Sequence, residues 1–115
     1  MLSKKQAYLA AFYYLDKLYD EEPDEALGDL LSSMNPYLVK DSNSADPATW
    51  FDWVKCIDSM TKSDYVSQNE AFQAMISFLQ FHEQEFGYAL SHIEKKVNSL
   101  GQNREWMSSV NRVQE

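Results

Sequence analysis

Apolar residues recur along most of this chain at the three- and four-residue spacing that marks one face of a helix. Between Asp46 and Asp58, Trp50, Trp53, Val54 and Ile57 stand at i, i+3, i+4 and i+7, and Asp52, Lys55 and Asp58 fall largely on the other face. Asp46 is placed to accept from the free N–H groups of the first turn, and Pro47 occupies the first helical position, where a missing N–H costs nothing. Two indoles a turn apart, each with roughly 200 Å² to bury, make this the helix around which the rest is expected to pack.

The same spacing appears on either side of it. Ser3 and Gln6 form a capping box at the head of a helix running to about Asp20, with Tyr8, Phe12, Leu15 and Tyr19 as its stripe and Leu9, Tyr13 and Leu18 widening it. Glu22, Pro23, Asp24 and Glu25 open a second helix, where acids and an early proline suit the N-terminus. Ala26, Leu27, Leu30, Leu31 and Met34 are its apolar face, and Asn35, standing before Pro36, ends it. Gly28 weakens that helix by about 1 kcal/mol relative to alanine and marks a close helix crossing. Residues 36–45 form the one long connection, with Tyr37, Leu38 and Val39 expected to tuck back onto the core. The double-tryptophan helix follows and ends near Met60 to Lys62.

A second capping box, Ser67 with Glu70 and with Val66 as a staple, opens a longer pattern. Phe72, Met75, Ile76, Leu79 and Phe86 share a face flanked by Phe78 and Phe81, and the phase continues through Leu90, Ile93, Val97 and Leu100. Unbroken, such a helix would be about 48 Å long, whereas a domain of this size is about 35 Å across. A break is therefore expected at Gly87, the alternative being a helix that projects from the domain. After Gly101, Trp106, Met107, Val110 and Val113 predict a short last helix with Arg104 and Arg112 exposed. The expected fold is all-α: a single-domain compact bundle of about five to six helices spanning residues 1–115, with one longer loop at 36–45.

Composition supports this picture. A chain of 115 residues buries roughly 65% of its unfolded surface without help from disulfides or metals. Three glycines and three prolines leave little room for the turns of an all-β fold. The lone Cys56 rules out an internal disulfide and reads as a small buried hydrophobe in a reducing compartment. No run approaches the roughly 18 apolar residues of a membrane span, and no signal-peptide pattern follows Met1, so the cytoplasm is the default location.

Catalytic and metal templates mostly fail: there is no H-E-x-x-H, paired C-x-x-C, glycine-rich phosphate loop or G-x-S-x-G. His82 and Glu85 share a helical face, but a di-iron bundle needs Glu-x-x-His on two helices, and Leu79 and Ala89 stand where those glutamates belong. His82 and His92 therefore read as surface histidines near a helix end, and no metal, cofactor or catalytic residue is expected. The net charge of −8 repels nucleic acid and anionic membranes and attracts a basic protein, although it also serves plain solubility. Its densest part is the seven acids from Asp16 to Asp29, interrupted only by Lys17, with Tyr13, Tyr14 and Tyr19 alongside. Two readings of this cluster stand side by side, a solvated helix corner and a docking patch, and its tyrosines are equally open to two, interface anchors or core residues with hydroxyls reaching solvent.

Two segments also carry a resemblance: Leu27-Gly28-Asp29-Leu30-Leu31-Ser32-Ser33-Met34-Asn35-Pro36, then Ser44-Ala45-Asp46-Pro47-Ala48-Thr49-Trp50-Phe51-Asp52-Trp53. A leucine-rich helix, a polar loop and a D-P-A-x-W-x-D-W helix resemble small acidic helical immunity-type proteins of bacterial polymorphic-toxin and contact-dependent inhibition systems. The resemblance covers about half the chain and brings no catalytic residue with it. It implies stoichiometric occlusion of a basic toxin domain. The acids proposed for that contact are Asp20, Glu21, Glu22, Asp24, Glu25 and Asp29, together with loop residues Asp41 and Asp46. A helical adaptor without a toxin partner, monomeric or homodimeric, is the alternative, and a small enzyme with an assembled carboxylate site is a third.

Overall fold

Both capping boxes form. Ser3 Oγ accepts the Gln6 N–H at 3.0 Å and Gln6 Oε1 accepts the Ser3 N–H at 2.9 Å. Ser67 and Glu70 repeat the exchange at 3.1 and 2.9 Å. Asp24 and Asp46 cap two further helices through Leu27 and Ala48. The computed structural model describes residues 1–36 and 44–114. Among these residues there are six helices: α1 (Lys4–Glu21), α2 (Glu25–Met34), α3 (Pro47–Asp58), α4 (Gln68–Phe86), α5 (Ser91–Leu100) and α6 (Arg104–Gln114). A short pairing of β1 (Leu2–Ser3) with β2 (Tyr65–Val66), antiparallel with Leu2 opposite Val66, was not foreseen. It places Val66 in the core beside the head of α1. The molecule is all-α and measures 32 × 31 × 25 Å.

The centre of the packing is α1 rather than the double-tryptophan helix. α1 touches α2, α3, α4, α6 and both strands, while α3 packs chiefly on α4. Ala7, Ala10 and Ala11, fully buried, let neighbours approach α1 on several sides, and its eighteen residues outreach the twelve of α3. Trp53 and Trp106 are enclosed within the core, whereas Trp50 is half-buried at its margin.

The apolar face of α3 is also rotated from its predicted position. Thr49, Asp52, Trp53, Cys56 and Ile57 are the buried set, again spaced i, i+3, i+4, i+7 and i+8. Asp52, placed on the outer face by the spacing of Trp50, Trp53, Val54 and Ile57, is therefore buried. Pro23 lies ahead of α2 and not in its first turn, because the Asp24 carboxylate provides the cap.

Gly87 breaks the long apolar pattern as expected. It takes a left-handed conformation at φ +70°, with its N–H on the Glu83 carbonyl at 3.1 Å, and α5 starts only at Ser91. Phe86 and Leu100, counted as core by their spacing, are 56% and 41% exposed, each being the last residue of its helix. Met107 is exposed as well. The expectations for Tyr37, Leu38, Val39 and Asp41 lie outside the described residues. No described helix is long and apolar enough to cross a membrane.

Candidate functional site: an acidic corner and an adjoining cleft

Because α1 ends and α2 begins within four residues, the acids predicted as a cluster do converge on one corner. Two of them are engaged within the molecule. Glu22 Oε2 accepts from Lys96 Nζ at 2.8 Å, and this ammonium holds the Glu22 carboxyl below its ordinary range. Asp24 is lowered first by the Leu27 N–H that it caps and then by His92, whose Nε2 lies 2.7 Å from Asp24 Oδ1. These two contacts tie the corner to α5, and the Lys96 ammonium offsets the unfavourable placing of Glu22 at the C-terminus of α1.

Asp20, Glu21, Glu25 and Asp29 are exposed, and none has a side-chain hydrogen bond or ion pair among the described residues. They form the free part of the corner. Of the two places open to the tyrosines, Tyr14 takes the core. Tyr13 is half-buried and carries the Arg112 guanidinium on its ring at 3.7 Å. Tyr19 lies against Gly28: a β-carbon built on Gly28 would stand 3.0 Å from the Tyr19 ring. What meets this glycine is the Tyr19 side chain of α1, and no approach of helix backbones is needed to explain it.

Asp46 sits apart from the corner, at the mouth of a cleft of about 190 Å³. α2 supplies Ser33, the first turns of α3 supply Asp46, Ala48, Thr49 and Asp52, and His82, Phe86 and Tyr88 come from the end of α4 and the turn after it. Tyr88 also lines the shallow recess beside Asp24, Glu25 and Asp29, so cleft and corner share a wall.

His82 corrects the expectation of a surface histidine: it is 3% exposed. Its Nδ1 lies 3.0 Å from the Phe78 carbonyl, and Phe78, Phe81, Phe86 and Tyr88 surround the ring. Only a donor can face a carbonyl, so Nδ1 bears the proton and Nε2 is left as an acceptor. Burial pushes His82 below its ordinary range, against the pull of the Phe78 carbonyl and of Asp52. Asp52 is 9% exposed, and burial raises its carboxyl, with His82 and Lys55 opposing. A signal for this site existed in the sequence. His82 lies four residues after Phe78 and three after Leu79, on the apolar phase itself.

Cys56 is core, its thiol pushed up by burial. Among the described residues no three His, Cys, Asp or Glu side chains converge to hold a metal ion. In comparisons with family models, curated proteins and solved structures, nothing matches this chain.

Proposed function

We propose that the protein is a non-catalytic, immunity-type inhibitor that occludes a basic protein partner, led by its acidic corner. The observation that carries this reading is the set of four exposed carboxylates, Asp20, Glu21, Glu25 and Asp29, left without an internal counter-charge among the described residues. Charges of one sign gathered on a rigid surface steer an oppositely charged partner and raise its association rate. The capped helices and the aromatic core beneath them hold the corner in one shape, so little order has to be created on binding. Asp46 extends the same charge to the adjoining cleft.

The test uses a basic toxin domain encoded beside the gene, co-expressed and then measured for association at several salt concentrations. Reversal of Glu21, Glu25 and Asp29 to lysine is expected to slow association by at least about tenfold at low salt and to flatten its salt dependence. An unchanged rate and an unchanged salt slope would overturn the electrostatic reading. The adaptor alternative draws on the exposed Phe51 and Phe86, and a concentration-dependent sedimentation coefficient of the protein alone would favour it.

A further inference from the structure

The cleft between α2, the start of α3 and the end of α4 has chemistry of its own, distinct from the open acidic corner. We propose that it seats one guanidinium group, the side chain of an arginine presented by a protein partner. The inference rests on the reading of a basic partner and names the group that this partner inserts.

The polar atoms decide the sign of the ligand. Asp52 is nine-tenths buried, and neither carboxylate oxygen has a hydrogen bond or ion pair among the described residues. Its oxygens open into the cleft, where a donor from outside can reach them. His82, with its Nδ1 proton committed to the Phe78 carbonyl, offers only the Nε2 lone pair. Asp46 stands at the mouth with a second carboxylate. An anion finds no free backbone donor at the head of α3, because the N–H groups there are already taken, and the hydroxyl of Thr49 is the one side-chain donor that α3 offers the cleft. Ala48 donates to Asp46 Oδ1, Thr49 to the Asp46 carbonyl and Trp50 to Ser44 Oγ. The Ser33 hydroxyl likewise donates to the Leu30 carbonyl.

Shape then selects among cations. A volume of about 190 Å³ is below the roughly 300 Å³ at which small-molecule pockets begin, and suits a single side chain. Phe86, more than half exposed, and Tyr88 stand at the cleft as aromatic walls. A planar guanidinium stacks on such rings while its fork of donors meets carboxylates edge-on, whereas an ammonium is a strongly hydrated point charge.

The experiment follows the side-chain resonances of Asp52 and His82 while isotope-labelled protein is titrated with N-acetyl-arginine methylamide. Saturable shifts are expected with a dissociation constant on the order of 1 mM, the strength a fragment of this size reaches. The His82 titration should move to lower pH in the bound state, as a neighbouring positive charge requires. Asp52→Asn and Phe86→Ala, each first checked for the parental fold by its amide spectrum, should each weaken binding at least about threefold. The uncharged citrulline analogue should not saturate, and the lysine analogue should bind at least about threefold more weakly. Absence of saturation by arginine amide, or equal binding by citrulline, lysine or both variants, would overturn the assignment. Reversal of Glu21, Glu25 and Asp29 should leave amide binding within about twofold. Because the probe needs no toxin, failure of the cleft and failure of the acidic corner are told apart.

Discussion

Trp53 and Lys4 are joined across the middle of the molecule: the indole N–H of Trp53 donates to the main-chain carbonyl of Lys4 at 3.1 Å. The bond ties the inner face of α3 to the first turn of α1, and the Lys4 ammonium reaches Asp58 at the far end of α3 at 2.7 Å. Around the indole, Tyr8 and Phe78 pack edge-on with ring centroids 5.7 and 5.4 Å away. Trp53→Phe removes the donor and part of the buried volume, and is expected to cost roughly 2–4 kcal/mol by urea denaturation. Lys4→Ala disturbs only a part-exposed ion pair and should leave the urea midpoint close to the parent's.

The two innermost tyrosines should respond in opposite ways to loss of their hydroxyls. Tyr8 donates to the Met34 carbonyl at 2.5 Å, closing the end of α2 onto α1, and burial raises its phenol well above the ordinary range. Tyr8→Phe strands that carbonyl and should cost about 1–3 kcal/mol. Tyr14, its phenol pushed up to about 12 by burial, has no hydrogen-bond partner for its hydroxyl among the described residues, and neither has the indole N–H of Trp106 packed against it. Tyr14→Phe should leave stability within about 0.5 kcal/mol of the parent or raise it. Thermal unfolding of the two variants side by side is the check.

Gly28 and Tyr19 form a coupled pair. Alanine at 28 gains helix propensity of about 1 kcal/mol, but its β-carbon meets the Tyr19 ring at 3.0 Å. Because Tyr19 is only half-buried, its ring can shift by a few tenths of an ångström. Gly28→Ala alone should therefore stabilise by less than the full propensity gain. In a Tyr19→Ala background it should stabilise by about 1 kcal/mol, and a double-mutant cycle measures the difference.

A fourth outcome concerns pH. Glu94 Oε2 is enclosed without a protein donor, and the carboxyl of Glu83 on α4 faces it, with Gln80 and Ser91 beside the pair. Burial first, and Glu83 second, push Glu94 up to about 7, while Glu83 is held below its ordinary range by Glu94 and Ser91. One proton is thus kept between the two carboxyls. A carboxyl protonated in the fold but ionised in the unfolded chain withdraws stability as pH rises. The loss begins above the ordinary value of 4.5 and is complete once pH passes about 7. Glu94→Gln should flatten stability across that window and exceed the parent above pH 7. Denaturation midpoints from pH 4 to 8 measure it.

Much of this molecule is written in local chemistry. The capping residues Ser3, Asp24, Asp46 and Ser67 act within a few residues of themselves, as does Gly87, whose left-handed turn needs no distant partner. Periodicity with these stops is sufficient for six helices and their order, and the acids of the corner converge because the joint between α1 and α2 is short. Which helix is central, and which way α3 is rolled, depends instead on how faces from distant segments fill one volume. Thr49 and Asp52 are polar and nothing local marks them as interior, whereas Cys56 and His82 do stand on an apolar phase. They become interior only when α4 lies across α3 and Tyr88 closes beside His82. Local hydrogen bonding therefore determined the elements, and non-local packing alone decided the cleft, because burial belongs to the assembled neighbours and not to any one stretch of chain.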